Sequence, residues 1–355
     1  MSKRNIIVIS FFYLATLVAT HGNAAETGNN PFAKDRVDQA INKAVKFLTG
    51  SQFDSDSLTG AINERGHHQN LTAMTSLAIM AMAAVGHQPT DETPEGRAMK
   101  RAVDYVLRPE NLHQDYYFGG DGSRMYGHGI VTLMLGEMLG MGIDDATDRL
   151  IRRRLEKATT LILASQRVNK NSRNQGGWRY TPDSGDADLS VTVWQVMALR
   201  SARNAGLDVP PEAIEAAVDY IRRCHHRDGF GYEAGGHPTY AMTAAGLLSM
   251  QVCGQHDADE VKDASDWLLK QNLNYHDGWF FYGTYYYAQG MYQRGDEHAQ
   301  QARQRVENIL LRHQSDDGSW QAQGGQERHV GRVYTTSMAV LSLSMKYHYL
   351  PIYQR

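Results

Sequence analysis

The chain has 355 residues and a formal net charge of −3, with 42% hydrophobic and 21% charged residues. A balance this close to neutral argues against nucleic acid as a partner, because proteins that bind nucleic acid carry a clear excess of Lys and Arg. The length is sufficient for one large domain or two ordinary ones.

The first residues have the pattern of an export signal. Two basic residues precede an apolar run of 13 residues, Ile6–Val18, and small residues at 22–24 stand at the spacing of a cleavage site. Since a membrane-spanning helix needs about 20 apolar residues, residues 1–24 are predicted to be a cleaved signal peptide. We expect a flexible segment at 25–36, a single domain at 37–355 without a transmembrane segment, and a periplasmic or secreted location.

Glycine and an aromatic residue recur together along the rest of the chain. The aromatic residues of four such loops, Trp178, Phe230, Trp279 and Trp320, are 52, 49 and 41 residues apart. A recurrence at this period indicates a repeat architecture. Each loop stands between an amphipathic helical segment and a second segment that is apolar on nearly all sides.

The repeat predicts six helical hairpins. The amphipathic helices, in which apolar residues recur every three or four positions, are expected at roughly Val37–Thr49, Arg97–Leu107, Asp148–Ser165, Ala213–His225, Glu260–Gln271 and Gln300–His313. The apolar helices are expected at roughly Leu71–Val85, His128–Met141, Leu189–Ala205, Tyr240–Val252, Gly283–Arg294 and Tyr334–Tyr347. Asn70, Asp188 and Thr239 directly precede three of them, where side chains that cap helices are expected.

The composition of the last helix decides how the hairpins assemble. An open stack of repeats needs polar helices at its ends, whereas Tyr334–Tyr347 is strongly apolar. We therefore expect a closed, all-α ring, an (α/α)6 toroid of six repeats. The amphipathic helices would form its outside and the apolar helices would surround a central cavity.

Several motifs resemble known families of this architecture. Gln314–Trp320 fits the Gln-x-x-x-Gly-x-Trp repeat of squalene and terpene cyclases, and the loops at 176–178 and 228–232 are similar to those of protein prenyltransferase β subunits. The resemblance covers about residues 37–350 and implies the same toroid. The chain is also similar to an exported bacterial branch of prenyltransferase/squalene-oxidase-repeat proteins, which has no established activity, at Met125–Gly129, Thr192–Leu199 and Tyr349–Arg355.

Asp186 and Asp188 are the candidate catalytic residues. In a closed ring the inner helices begin at one mouth, where their unpaired N–H groups and dipoles suit an anion or an activated acid. The class II terpene cyclases that the chain resembles carry Asp-x-Asp-Asp at such a helix start, and the middle acid protonates the substrate. Asp188 matches the middle acid and Asp186 the first, whereas Leu189 replaces the last. The alternative, which we favour, is that Asp188 is a helix cap.

Further ligand-binding candidates stand at predicted inner-helix starts or in aromatic clusters. They are His128, His237, Tyr240, Tyr282, Tyr285, Arg332 and Tyr334. Aromatic faces in a cavity stabilise cations, but they also fill the space between helices. Glu137 is a charge within an apolar helix, so it is expected either to line the cavity or to pair with a neighbour.

Neither a metal nor a cofactor is predicted. Protein prenyltransferases use an Asp, a Cys and a His for zinc, and neither Cys224 nor Cys253 stands in an Asp-x-Cys setting. The two cysteines end successive antiparallel helices, so we expect them to lie beyond the ~7 Å Cα limit of a disulfide.

Together these features favour an exported toroid that binds a hydrophobic or extended ligand, most simply a lipid-like one, or a protein partner. One alternative is a terpene cyclase-like isoprenoid enzyme that uses Asp188 as general acid. A second alternative is a periplasmic enzyme that acts on a polysaccharide. The sequence leaves open whether the protein is an enzyme.

Overall fold

The structure, a computed structural model, describes residues 35–113, 116–347 and 349–353. The predicted signal peptide and nearly all of the predicted segment 25–36 lie outside the described residues. The chain from Asp35 onward forms one compact unit. None of the helices in the described ranges is both long and apolar enough to cross a membrane.

The described part of the chain contains twelve α-helices in six pairs. The outer helices are α1 (Arg36–Gly50), α3 (Pro94–Val106), α5 (Asp145–Gln166), α7 (Pro211–Cys224), α9 (Asp259–Lys270) and α11 (Asp296–His313). The inner helices are α2 (Leu71–Ala84), α4 (Arg124–Met138), α6 (Leu189–Asn204), α8 (Tyr240–Val252), α10 (Phe280–Arg294) and α12 (Arg332–Leu343).

Shorter elements occupy the connections between these helices. The strands β1 (His225–His226) and β2 (Gly229–Phe230) form an antiparallel hairpin. Single turns of 3-10 helix lie at Asp56–Leu58, Pro109–Asn111, Phe118–Asp121, Glu327–His329, Ser344–Lys346 and Pro351–Tyr353.

The two sets of helices differ in burial as their sequences predict. All residues of α2 are buried, as expected for a helix with neighbours on every side. In α7, by contrast, the buried residues recur at three- and four-residue spacing, for example Ile214, Ala217, Val218 and Ile221.

The ring is closed. Each inner helix packs against the next in chain order, and α12 packs against α2. In the outer layer, α1 contacts both α3 and α11. The predicted all-α toroid is thereby confirmed. Several helix boundaries differ from prediction by about one turn. The helices α3, α4, α5, α10 and α11 begin three or four residues earlier than expected, and α4 and α12 end earlier, at Met138 and Leu343.

The Gly-aromatic loops join the two layers by a repeated pair of contacts. The indole N–H of Trp178 donates to the carbonyl of Ile162 in α5 at 2.8 Å, and its backbone N–H donates to the hydroxyl of Thr192 in α6 at 3.1 Å. Trp320 repeats this arrangement between α11 and α12. Trp279 departs from it, since 51% of its surface is exposed.

The cysteine prediction is confirmed, because Cys224 and Cys253 are both free.

Candidate functional site

A cavity of about 720 Å³ lies at the mouth of the inner ring, the end at which all six inner helices begin. Each inner helix, or the residue just before it, contributes to its lining. Apolar and aromatic side chains form most of this surface, among them Met74, Ile130, Trp194, Met242, Trp279 and Tyr334. A concave, largely apolar surface with a few polar groups is the usual form of a small-molecule site.

The rim carries one exposed aromatic residue and one exposed cation. Trp279 lies beside Tyr282, with 6.4 Å between the ring centroids. Arg124 is exposed and also lines the cavity. Trp279 was identified from the sequence only as one of the recurring loop aromatic residues, and its position at the rim was not predicted. The one signal in the sequence is the run of three aromatic residues that begins at Trp279. In the structure Phe280 and Phe281 are buried, whereas Trp279 is exposed.

Side-chain oxygen atoms of the protein accept from N–H groups at the starts of five of the six inner helices, and α4 has no side-chain cap. Asp188 and Thr239 cap α6 and α8, as predicted. Three other helices are capped by acids from distant segments. Asp121 accepts from Thr72 N in α2 at 3.0 Å, Glu64 accepts from Arg332 N in α12 at 2.7 Å, and Glu327 accepts from the start of α10.

The predicted Asn70 cap is wrong. Asn70 has a left-handed backbone with φ of 58° and makes no capping hydrogen bond through its side chain. The carboxylate of Asp121 takes its place. Because protein oxygens fill these positions, the mouth offers an external anion few free backbone donors.

Hydroxyl groups cover one side of the cavity, which we call the hydroxyl wall (Tyr126, Tyr180, Ser190 and Tyr232). The hydroxyl oxygens of Tyr126 and Ser190 are 2.5 Å apart. Those of Tyr180 and Tyr232 are also hydrogen-bonded to each other. The rings of Tyr126 and Tyr180 are in contact, with 5.9 Å between their centroids.

Asp188 lies behind the hydroxyl wall. Its Oδ1 accepts from Val191 N at 2.8 Å and from Ser190 Oγ at 2.6 Å. Its side chain has no exposed surface, and its Oδ2 is 3.4 Å from Arg179 Nε. Burial raises the pKa of Asp188, while the hydrogen bonds and the guanidinium oppose that rise. The carboxylate therefore reaches the cavity through Ser190 and does not itself line it.

Asp186 lies outside the hydroxyl wall. Its side chain is 57% exposed and its Oδ2 is 3.5 Å from Arg179 Nε. The same guanidinium also pairs with Glu233 at 2.9 Å and lies over the rings of Tyr180 and Tyr232. Arg179, which was not predicted, thus joins the two acids of the Asp-x-Asp pair to the hydroxyl wall.

Tyr282 and Tyr334 are the predicted ligand-binding residues that line the cavity. The Tyr282 hydroxyl donates to the carbonyl of Ser190 at 3.1 Å. The Tyr334 hydroxyl donates to Glu327 Oε1 at 3.2 Å. Glu327 is fully buried, and burial raises its pKa to about 7. No local sequence pattern indicates its role, because the two backbone N–H groups that it accepts, those of Phe281 and Tyr282, stand about 45 residues earlier.

Four other predicted ligand-binding residues lie outside the cavity lining. His128 is buried, its Nδ1 accepts from Phe118 N at 3.3 Å, and burial lowers its pKa to about 4. His237 is exposed beside His226. Tyr240 packs on Tyr287. Arg332 pairs with Glu64 and Asp317, each at 2.7 Å.

Tyr285 and Glu137, the last two candidates, hold the C-terminal segment in the ring. Glu137 accepts from Ser201 Oγ at 2.6 Å and from Ile352 N at 3.2 Å, so it pairs with neighbours instead of lining the cavity. The Tyr285 hydroxyl is hydrogen-bonded to that of Tyr353. Tyr285 also stacks on Trp194, which lines the cavity above it, with 6.0 Å between ring centroids.

This burial of Glu137 predicts a dependence of stability on pH. Its pKa is raised from 4.5 to about 7, so between these values the folded state binds one proton more than the unfolded state. The free energy of unfolding is therefore expected to fall as pH rises from about 5 to 7, by about 2–3 kcal/mol from this group. Urea denaturation at several pH values measures this slope.

The matched variant is Glu137→Gln, which keeps the size of the side chain but does not titrate. It is expected to show a shallower dependence on pH than the parent, although Glu327 still contributes. The exposed Glu156, changed to Gln, provides the control and should leave the slope unchanged. Equal slopes for the parent and Glu137→Gln would contradict the prediction.

Within residues 35–113, 116–347 and 349–353, no group of three or more His, Cys, Asp and Glu side chains is placed to hold a metal ion.

Comparisons with known proteins identify relatives of this fold. The prenyltransferase alpha-alpha toroid domain matches residues 66–283 and 279–352. The apo structure of the type II terpene cyclase MstE from Scytonema superposes with a TM-score of 0.55 at 15% identity, covering 89% of this chain and 99% of that chain. Comparison with curated proteins gives no significant match.

Two ligand complexes are similarly related. A variant of MstE bound to its substrate geranylgeranyl dihydroxybenzoate has a TM-score of 0.54 at 15% identity, covering 87% of this chain and 96% of that chain. The Candida albicans protein geranylgeranyltransferase-I complexed with GGPP has a TM-score of 0.54 at 14% identity, covering 87% and 91%. At such identities the likeness shows a common fold.

Proposed function

The chain belongs to the prenyltransferase alpha-alpha toroid family, and from that premise we propose that it binds a neutral, lipid-like ligand in the cavity at the mouth of its inner ring. The observation that carries the proposal is the lining, to which all six inner helices contribute apolar or aromatic side chains. Burial of apolar ligand surface there is favourable by about 25 cal/mol per Å².

The capping of the inner helices supports a neutral ligand. Helix N-termini bind anions through free N–H groups, and here the caps from Glu64, Asp121, Asp188 and Glu327 occupy that position with carboxylates. Two relatives of the same fold bind molecules with geranylgeranyl chains, so an isoprenoid chain is the first class of ligand to test.

Binding is a better-supported role than cyclisation. An acid that protonates an alkene must contact it, and the carboxylate of Asp188 is separated from the cavity by Ser190. Leu189 also stands in place of the last acid of the cyclase motif. The apolar lining favours a lipid over a polysaccharide, which would require more polar contacts.

Two substitutions in the lining test the site. Trp279→Ala removes an exposed aromatic side chain from the rim and is expected to weaken binding about tenfold, or about 1.4 kcal/mol. Ala241→Phe places a ring in the cavity and is expected to abolish binding. Titration of the purified protein with farnesol and squalene, followed by thermal shift, measures both effects, since a ligand at 100 times its Kd adds about 2.7 kcal/mol.

Matched controls exist for both substitutions. Tyr349 is 54% exposed, close to the exposure of Trp279, but does not line the cavity, so Tyr349→Ala should bind as the parent does. Ala146 is exposed in the first turn of α5, and Ala146→Phe should also be without effect. Parent-like affinity in Trp279→Ala and Ala241→Phe together would exclude this cavity as the site.

A further inference from the structure

We propose that the cavity recognises a hydroxyl group at the head of its lipid-like ligand, by accepting the proton of that hydroxyl on tyrosine oxygens. The inference rests on the proposed function and specifies its ligand class as an isoprenoid-like alcohol. It follows from the direction of the hydrogen bonds around Tyr126, Ser190 and Asp188.

The direction is fixed at Asp188. The Oδ1 atom accepts the backbone N–H of Val191 at 2.8 Å, so this oxygen acts as an acceptor. Ser190 Oγ is 2.6 Å from the same oxygen and must donate to it. A hydroxyl has a single proton. At the 2.5 Å contact between Ser190 and Tyr126, the donor is therefore Tyr126.

The same direction holds at two other tyrosines of the lining. Tyr282 donates its proton to the carbonyl of Ser190, and Tyr334 donates its proton to Glu327. All three lining residues thus use their protons within the protein, and their oxygens keep lone pairs. Ligands that only accept hydrogen bonds, such as ethers, gain nothing from these oxygens, whereas an alcohol can donate to them.

Burial keeps this arrangement from rearranging. Asp188 is fully buried and Ser190 is 5% exposed, so water does not compete for their hydrogen bonds. If the Ser190 proton turned to the Tyr126 oxygen instead, the buried carboxylate of Asp188 would lose one of its hydrogen bonds, which is unfavourable. The carboxylate therefore sets the polarity of an oxygen in the cavity that it does not itself reach.

The test compares farnesol with farnesyl methyl ether, which has the same chain but no hydroxyl proton. The parent is expected to bind the alcohol about three- to tenfold more tightly than the ether, the range of one net hydrogen bond. Tyr126→Phe should lower this ratio by weakening the alcohol alone. Ser190→Ala should also lower the ratio, but by tightening the binding of the ether. In this variant Tyr126 loses its acceptor, so the Tyr126 proton becomes available to the ether oxygen.

Tyr275→Phe is the control. The Tyr275 hydroxyl donates to the carbonyl of Gln321 at 2.9 Å and does not line the cavity, so this variant should keep the ratio of the parent. An unchanged ratio in Tyr126→Phe and Ser190→Ala, or a parent that binds both probes equally, overturns the inference. In that case the cavity still binds lipid if Trp279→Ala weakens both probes. If the parent binds neither probe, the proposed function itself fails.

Discussion

Asp188→Ala is expected to lower the free energy of unfolding by about 3 kcal/mol. Loss of an N-cap accounts for about 1 kcal/mol of this. The remainder comes from the Ser190 hydroxyl, which loses its acceptor, and from Arg179, which loses a partner with no exposed surface. We take the low end of the range for a broken buried pair, since the side chain of Arg179 is 20% exposed. Urea denaturation at neutral pH measures the change.

A second capping aspartate separates these contributions. Asp144 caps α5 by accepting from Thr147 N at 2.8 Å, and it is exposed, so Asp144→Ala should lose about 1 kcal/mol. Asp188→Asn keeps a capping oxygen and is expected to fall between the parent and Asp188→Ala. If Asp188→Ala were as stable as Asp144→Ala, the carboxylate would contribute no more than an ordinary helix cap, and its contacts with Ser190 and Arg179 would have no net effect on stability.

Local sequence pattern was sufficient for the fold. In a helix, residues three and four positions apart lie on the same face, so the pattern of buried residues can be predicted from each segment alone. The apolar character of α2 likewise indicated that it lies in the inner ring. The caps of Asp188 and Thr239 were predictable for the same reason, because each lies within three residues of the N–H group that it accepts.

Contacts between distant segments were not predictable in this way. Asp121 caps a helix that begins 50 residues earlier, and no local pattern distinguishes it from a solvated acid. The same limit applied to the candidate ligand-binding residues. A position at an inner-helix start was inferred for Tyr240 and Arg332. Whether such a side chain faces the cavity or a neighbouring segment depends on the residues packed against it, which here are Tyr287 and Glu64. Tyr282 and Tyr334 share that sequence position and do line the cavity.

Glu327→Ala is expected to lower the free energy of unfolding by about 3–5 kcal/mol at pH 8. The carboxylate accepts three hydrogen bonds, from Phe281 N at 2.9 Å, from Tyr282 N at 2.8 Å and from the Tyr334 hydroxyl. The residue before α10, Trp279, makes no capping hydrogen bond, so alanine would leave all three donors without a partner. Each buried donor left unpaired costs about 1–3 kcal/mol.

The control is Glu156→Ala, because Glu156 is exposed on α5 and its loss should change stability by less than about 0.5 kcal/mol. Loss of the Glu327 carboxylate should also affect ligand binding, since its partners Tyr282 and Tyr334 both line the cavity. Glu327→Ala should therefore weaken farnesol binding as well as stability, whereas a purely structural variant distant from the mouth would change stability alone. If Glu327→Ala unfolded at the same urea concentration as the parent, another acceptor, or water, would have to accept from the N–H groups at the start of α10.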